Sequence, residues 1–190
     1  IPSYHTGVDI HCQPGGYHTE LDAGDVAAGA TYDRGVYIYA MSRLGELNDE
    51  MGQSVVLHLK EKHEDFRPRT ILDMGCTVGH STLPYVDAYP QAQVNAIDVA
   101  APVLRYGHAR AESLGKRVHF SQQNAEQTNF EDGSFDLIVS HIVLHETSSR
   151  AIRNIMKECH RLLAPGGMML HQEVPQYADM SPYDAFILDW

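Results

Sequence analysis

Asp73, Gly75, Cys76 and Gly79 stand in the run Ile71-Leu-Asp-Met-Gly-Cys-Thr-Val-Gly-His-Ser-Thr82, where a short apolar stretch leads directly into a glycine-rich turn. Glycine has no Cβ, so the backbone at these positions can take conformations closed to other residues and can pass close to a ligand. Asp73 adds a carboxylate at the mouth of the same turn. A strand, a glycine turn and a helix start in that order make a nucleotide-cofactor loop. The spacing bears on which cofactor. Dinucleotide folds use Gly-x-Gly-x-x-Gly, and here Thr77 stands where the second glycine would let a pyrophosphate approach.

Loops of this kind work with an acidic residue about 20 positions downstream, where a ribose hydroxyl pair needs an acceptor at the end of a second strand. Gln93-Val-Asn-Ala-Ile-Asp98 supplies it, with Val99 next in the chain and a helical segment from Ala101 to Leu114 behind. The plainer reading of Asp98 is a cap for that helix. Val118-His-Phe-Ser-Gln-Gln-Asn-Ala-Glu126 reads as a third strand running into Asn124 and Ala125, and Asp132-Gly-Ser-Phe-Asp-Leu-Ile-Val-Ser-His141 as a turn and a fourth strand. By residue type Asn124 is an ordinary turn amide.

These four segments, in this order and spacing, resemble the motifs of class I S-adenosylmethionine-dependent methyltransferases over about Thr70 to Val174. Thr77 departs from that family's central glycine, and Asn124 from its Asp-Ala-Glu motif. The resemblance implies an α/β fold: a Rossmann-like doubly wound, mostly parallel sheet with helices on both faces. It also implies S-adenosylmethionine as cofactor and S-adenosylhomocysteine as product. Cofactor contacts are then expected from Asp73, Gly75, Cys76, Gly79, Asp98, Val99, Asn124, Ala125 and His141. Asp132-Gly-Ser-Phe-Asp136 and Arg161-Leu-Leu-Ala-Pro-Gly-Gly167 are similar to signatures of the small-molecule branch that includes the ubiquinone and menaquinone carbon-methylating enzymes. No Asn-Pro-Pro-Tyr motif of the amino-methylating members follows strand four.

Catalysis has few obligatory side chains in such a reaction, because a sulfonium already activates its methyl group and the protein chiefly aligns the acceptor. His141 and His145, four positions apart and followed by Glu146, fall where ligands sit, beyond the carboxyl ends of parallel strands. Either is a candidate acid-base residue, with His141 nearer the strand end; the alternative is packing or hydrogen bonding around the cofactor. His11, Cys12 and His18 form no paired ligand set, so no metal is expected. Cys76 lacks a histidine at any catalytic spacing and reads as a small neutral loop residue.

The chain has 190 residues, 43% of them hydrophobic, enough for one full core. Its formal net charge of −11 argues against a nucleic-acid partner, which would demand basic side chains to displace counterions. A small-molecule acceptor is the expected partner. No apolar run of membrane-spanning length occurs. Cys12, Cys76 and Cys159 are odd in number and scattered, which favours reduced thiols and a cytoplasmic setting, although the chain opens on Ile1.

Three segments are expected. Residues 1–42 form a cap rich in Gly, Tyr and His, with no sustained period, in which Tyr17, Tyr32, Arg34 and Tyr37 can line the site. Residues 43–174 form the cofactor-binding core. Within it Leu44, Leu47, Met51, Val55 and Leu59 mark a helix from Leu44 to His63. Ser149 to Ala164 is a second helix, stopped by Pro165-Gly-Gly167, and Met168 to Val174 a fifth strand. Residues 175–190 begin a C-terminal region expected to be truncated, because this family's sheet has seven strands and five are readable. A bare edge on strand five invites pairing, including a homodimer. Besides a methyltransferase, two classes remain open: a cofactor-binding module without transfer activity, and a nicotinamide-dependent reductase.

Overall fold

The computed structural model describes residues 17–175 and 177–183. Its sheet is built from β1 (Thr70–Met74), β2 (Gln93–Asp98), β3 (His119–Gln122), β4 (Phe135–His141) and β5 (Leu163–Gln172), in the order β3-β2-β1-β4-β5. Every pairing is parallel, with Leu72 opposite Asn95 on one side and Ile138 on the other. Parallel sheets need helices over both faces, and the sequence shows this as apolar runs without alternation. In β1, Ile71 and Leu72 are both fully buried yet belong to different cores. Ile71 joins Leu137, Val139, Leu59 and Tyr85 under α2 (Glu50–Lys62) and α3 (Leu83–Ala88). Leu72 joins Ile138, Ile155, Cys159 and Leu162 under α5 (Ser149–Leu162). Among the described residues the sheet has five strands, and β3 and β5 are its edges.

The two branch signatures serve the scaffold. Asp136 Oδ2 accepts the backbone N–H groups of Arg69 and Thr70 at 2.7 and 3.1 Å, aligning the start of β1 beside β4. Arg161 donates to Asp132, to the Phe130 carbonyl and to Glu158, while Glu158 also accepts from the Thr128 N–H and hydroxyl. Burial works against an ionised Glu158, but the Arg161 and Thr128 bonds outweigh it and hold the carboxyl down at about 2.

Three expectations need correction. The cap is not irregular throughout: Ala27–Tyr39 is a helix, α1, packed on α4 (Ala101–Ser113). Its stripe is Ala28, Tyr32 and Asp33, small and polar, so it carries little apolar period. The close packing comes from Gly29, where a Cβ would lie 2.3 Å from Cβ of Tyr106. Next, α2 begins at Glu50 instead of Leu44, because Met41, Ser42, Gly45 and Asn48 all take positive φ and turn the chain repeatedly. Last, β5 starts at Leu163. Pro165-Gly-Gly167 ends the helix but is absorbed as an irregularity between the Phe135–Leu163 and Leu137–Met168 pairs. Of the C-terminal region 175–190, residues 176 and 184–190 lie outside the described residues.

One buried cluster fastens α1 to the rest. Asp33 Oδ1 lies 2.5 Å from His80 Nε2, Asp33 Oδ2 accepts from the Tyr106 hydroxyl at 2.8 Å, and Arg110 Nε is 3.9 Å away. The His80 contact, with help from Tyr106 and Arg110, holds the Asp33 carboxyl down at about 2 against the effect of burial. Burial in turn pushes His80 below its ordinary value, so the pair is a carboxylate accepting from a neutral imidazole.

Two predictions come from this packing. Gly35 has open space around its missing Cβ, whereas a Cβ on Gly52 would lie 2.3 Å from the Ser81 carbonyl oxygen. Gly35→Ala should therefore gain about 0.5–1 kcal/mol in urea melts, and Gly52→Ala should lose about 1–3 kcal/mol despite the better helix propensity of alanine. Equal shifts would refute the close approach of α2 to the loop. For Asp33, a pKa lowered from 3.8 to about 2 corresponds to roughly 2 kcal/mol of stability. That contribution is fully present above 3.8 and is lost as pH falls through about 2. The stability gap between wild type and Asp33→Asn should close over that window, as read by melts at stepped pH.

Candidate functional site

The loop after β1 folds back on itself through left-handed residues. Gly75 has φ 75°, Thr77 φ 46° and Gly79 φ 79°. The N–H groups of Gly75 and Cys76 both donate to the Ile97 carbonyl, at 2.8 and 3.0 Å, which draws the loop over the end of β2. Gly79 N–H donates to the Cys76 carbonyl at 2.8 Å and closes the turn. Asp73 does not open into the turn: its Oδ2 accepts from the Thr82 hydroxyl at 2.5 Å, pinning the start of α3 to β1. Thr77 takes the glycine conformation although it is β-branched, a strained arrangement costing about 1–3 kcal/mol.

Asp98 holds that strained residue. Its Oδ2 accepts from Thr77 N–H at 3.1 Å and its Oδ1 from Ala100 N–H at 2.9 Å, so it orders the turn into α4 and the glycine loop together. Burial pushes its carboxyl up, opposed by these backbone donors. The Val99 N–H acts on the same carboxylate, and of its roughly four acceptor sites at least one stays open. Beside it, the Val99 carbonyl accepts from Gln122 Nε2 at 2.8 Å. Asn124 Oδ1 accepts from Glu126 N–H at 2.9 Å, the turn-forming bond of an asparagine, and Ala125 packs toward Ile155 and its neighbours. Cys76 is buried, and burial raises its thiol well above the ordinary range, so it is no nucleophile.

The opposite wall comes from the end of β4. Ile142 has φ 56° and swings the chain so that a Cβ on Gly75 would lie 2.7 Å from Val143 Cγ2. The glycine is required there by both its φ and its space. Glu173 clasps this wall: Oε1 accepts from Val143 and Leu144 N–H at 2.8 and 2.5 Å, and Oε2 meets His145 Nδ1 at 2.8 Å. His141 is half-buried, with Nε2 3.0 Å from the Tyr85 hydroxyl and Nδ1 2.9 Å from Gln172 Oε1. A cavity of about 240 Å³ between α2 and β5 reaches the site only at Gln172.

From α1, Tyr32 stacks on His80 with ring centroids 5.8 Å apart, close to the Thr77 side chain. Burial raises its phenol to about 12, so it stays protonated. Tyr17 packs edge-on against it at 5.3 Å, and Arg34 is exposed. The sequence reading missed Asp33, His80, Tyr85, Gln172 and Glu173. A rule already applied to Asp98 and His141, that ligands sit at the ends of parallel strands, would have reached Gln172 and Glu173 at the end of β5. Asp33 and His80 have no local signal. Of the residues weighed for a metal, His11 and Cys12 lie outside the described residues, and among those described no three His, Cys, Asp or Glu gather at one point. No helix among them is long and apolar enough to cross a membrane.

Comparison with known proteins places this site in a family. Residues 71–167 match the model described as "Methyltransferase domain". The chain is 29% identical over 117 residues to the tRNA N(3)-methylcytidine methyltransferase Mettl2 of Drosophila melanogaster, covering 58% of this chain and 36% of that one. It is 32% identical over 108 residues to the demethylmenaquinone methyltransferase of Thermus thermophilus, covering 57% of this chain and 48% of that one. It thus spans half or less of these relatives. A crystal structure of a provisionally assigned S-adenosyl-L-methionine-dependent methyltransferase from Methanococcus maripaludis has the same fold, with a TM-score of 0.63 at 14% identity over 80% of this chain and 65% of that one. With the glycine loop, the acidic end of β2 and the parallel sheet all in place, the chain belongs to the class I S-adenosylmethionine-dependent methyltransferases.

Proposed function

We propose that this chain transfers the methyl group of S-adenosylmethionine to a small-molecule acceptor that meets it beyond the end of β4. The observation that carries the reading is Asp98: one carboxylate at the end of β2 fixes the glycine loop through Thr77 and keeps acceptor capacity for a ribose. The cofactor supplies an activated methyl group on a sulfonium. The residues of the chain hold and align: Asp98 and Val99 at the ribose end, Asn124 and Ala125 toward the base, Gly75 to Gly79 beneath, and the Val143 wall above. The net charge of −11 supports a small acceptor over a polyanion. The tRNA named for the Drosophila relative is that protein's acceptor. For an acceptor that must lose a proton, His141 is the base nearest the strand end. Buried free thiols at Cys76 and Cys159 support a reducing, cytoplasmic setting. Among the described residues β5 is an edge of the sheet, and an edge of that kind supports pairing of two copies.

A binding module without transfer is the second reading. It is favoured by the engagement of both His141 nitrogens. Turnover of any member of a metabolite panel excludes it.

Calorimetry with S-adenosylhomocysteine should show Asp98→Ala binding about 1.5–3 kcal/mol more weakly, the scale of hydrogen bonds to a charged group. Unchanged affinity in the folded variant removes Asp98 from the ribose role. His141→Ala should slow transfer by about 10²–10⁴ while S-adenosylmethionine affinity holds. A rate loss below about tenfold assigns the reaction to alignment alone.

A further inference from the structure

The surroundings of His141 determine which of its nitrogens can take a proton. Tyr85 is fully buried, and among the described residues its hydroxyl has one hydrogen-bond partner, His141 Nε2 at 3.0 Å. Burial, Asp73 and Tyr89 all push that phenol up, so it keeps its proton. A buried O–H without an acceptor is costly, so Nε2 must offer a lone pair. The other side of the ring gives the same answer. His141 and Gln172 are register partners in β4 and β5, and Gln172 Oε1 lies 2.9 Å from Nδ1. The amide is oriented by its far end: Gln172 Nε2 donates to Ser54 Oγ at 3.1 Å, and the Ser54 hydroxyl has given its own proton to the Met51 carbonyl at 2.7 Å. With Gln172 presenting oxygen, Nδ1 must carry hydrogen. An Nε2–H ring would set Nδ1 against that oxygen, lone pair to lone pair, and strand the Tyr85 proton.

We infer that Tyr85 and Gln172 are positioning residues that lock His141 as the Nδ1–H tautomer, leaving Nε2 as the only ring atom able to accept a proton, with α2 taking part through Ser54. Which ring nitrogen is protonated is set by the bond the other makes, and here both bonds agree. The inference rests on the methyltransferase reading only for its catalytic consequence; the tautomer itself is a property of the chain without cofactor.

The test is ¹⁵N NMR of histidine-labelled protein well above the histidine titration range, with the His141 signals assigned by their loss in His141→Gln. The expected wild-type spectrum has Nδ1 in the protonated range and Nε2 in the lone-pair range. Gln172→Leu should convert His141 to the Nε2–H form or a mixture, and Gln172→Glu, which keeps an acceptor oxygen, should restore Nδ1–H. Should Gln172→Leu fail to fold, Ser54→Ala is the second variant and should partly release the tautomer by freeing the amide to turn. An Nε2–H wild type, or a Gln172→Leu spectrum identical to wild type, overturns the inference. Kinetics separate it from the function above: Gln172→Leu should lower kcat at least about tenfold with the KM for S-adenosylmethionine unchanged. A tautomer that moves while turnover stays constant upholds the positioning and removes His141 as the base.

Discussion

The hydrogen bond from Thr77 N–H to Asp98 organises the site. Thr77 sits in a left-handed conformation that a β-branched residue avoids, so the loop must be held from outside. Asp98 holds it from the end of β2, and the Ile97 carbonyl, one residue earlier, takes the N–H groups of Gly75 and Cys76. The loop is therefore fastened to β2 as firmly as to β1, the strand it leaves. A third attachment comes from α1 just past Gly79, where His80 meets Asp33 and the stacked ring of Tyr32. The shape of the loop is a consequence of the sheet order, which places β2 beside β1 with Met74 opposite Ile97.

How far the sequence discloses this follows from the range of each interaction. Buried strands leave short apolar runs, and the glycine turn and the acid at Asp98 leave residue types at a fixed spacing, so β1, β2 and β4 could be found with their ends close to the observed ones. The helix α1 was missed because it packs through small and polar residues. Gly29 fits against Tyr106, and Asp33 reaches His80 and Arg110 across 47 and 77 positions. No window of local sequence contains such pairs. The start of α2 failed for a different reason. Leu44 and Leu47 continue the apolar period, but positive φ at Gly45 and Asn48 breaks the helix, and Leu47 stays exposed. Periodicity reports which side chains want burial, and the backbone conformation decides whether one helix can deliver them.

Residue roles divided along the same line. Asp98 was weighed as either a ribose acceptor or a cap, and the carboxylate supports the turn into α4 with one oxygen and the loop with the other, so the alternatives are not exclusive. Asn124 likewise uses its side-chain oxygen on the turn it sits in. Gln172 and Glu173 had no motif to announce them, since their work is to orient His141 and the Val143–Leu144 backbone from a neighbouring strand.

Two carboxylates near one loop, Asp73 buried and Asp98 half-buried, pose an electrostatic problem that the fold resolves by separating their duties. Burial raises both Asp73 and Asp98, and Asp73 raises Asp98 further. Like charges in a medium poor in water cannot both stay ionised without donors. Asp73 is relieved by the Thr82 hydroxyl, a bond that turns it toward α3. Asp98 is relieved by backbone N–H groups of Thr77, Val99 and Ala100, which are independent of the side chains at those positions short of proline. The acid that shares the strand with the glycine loop is thus spent on the start of α3, and the acid of the neighbouring strand holds the loop and the turn into α4.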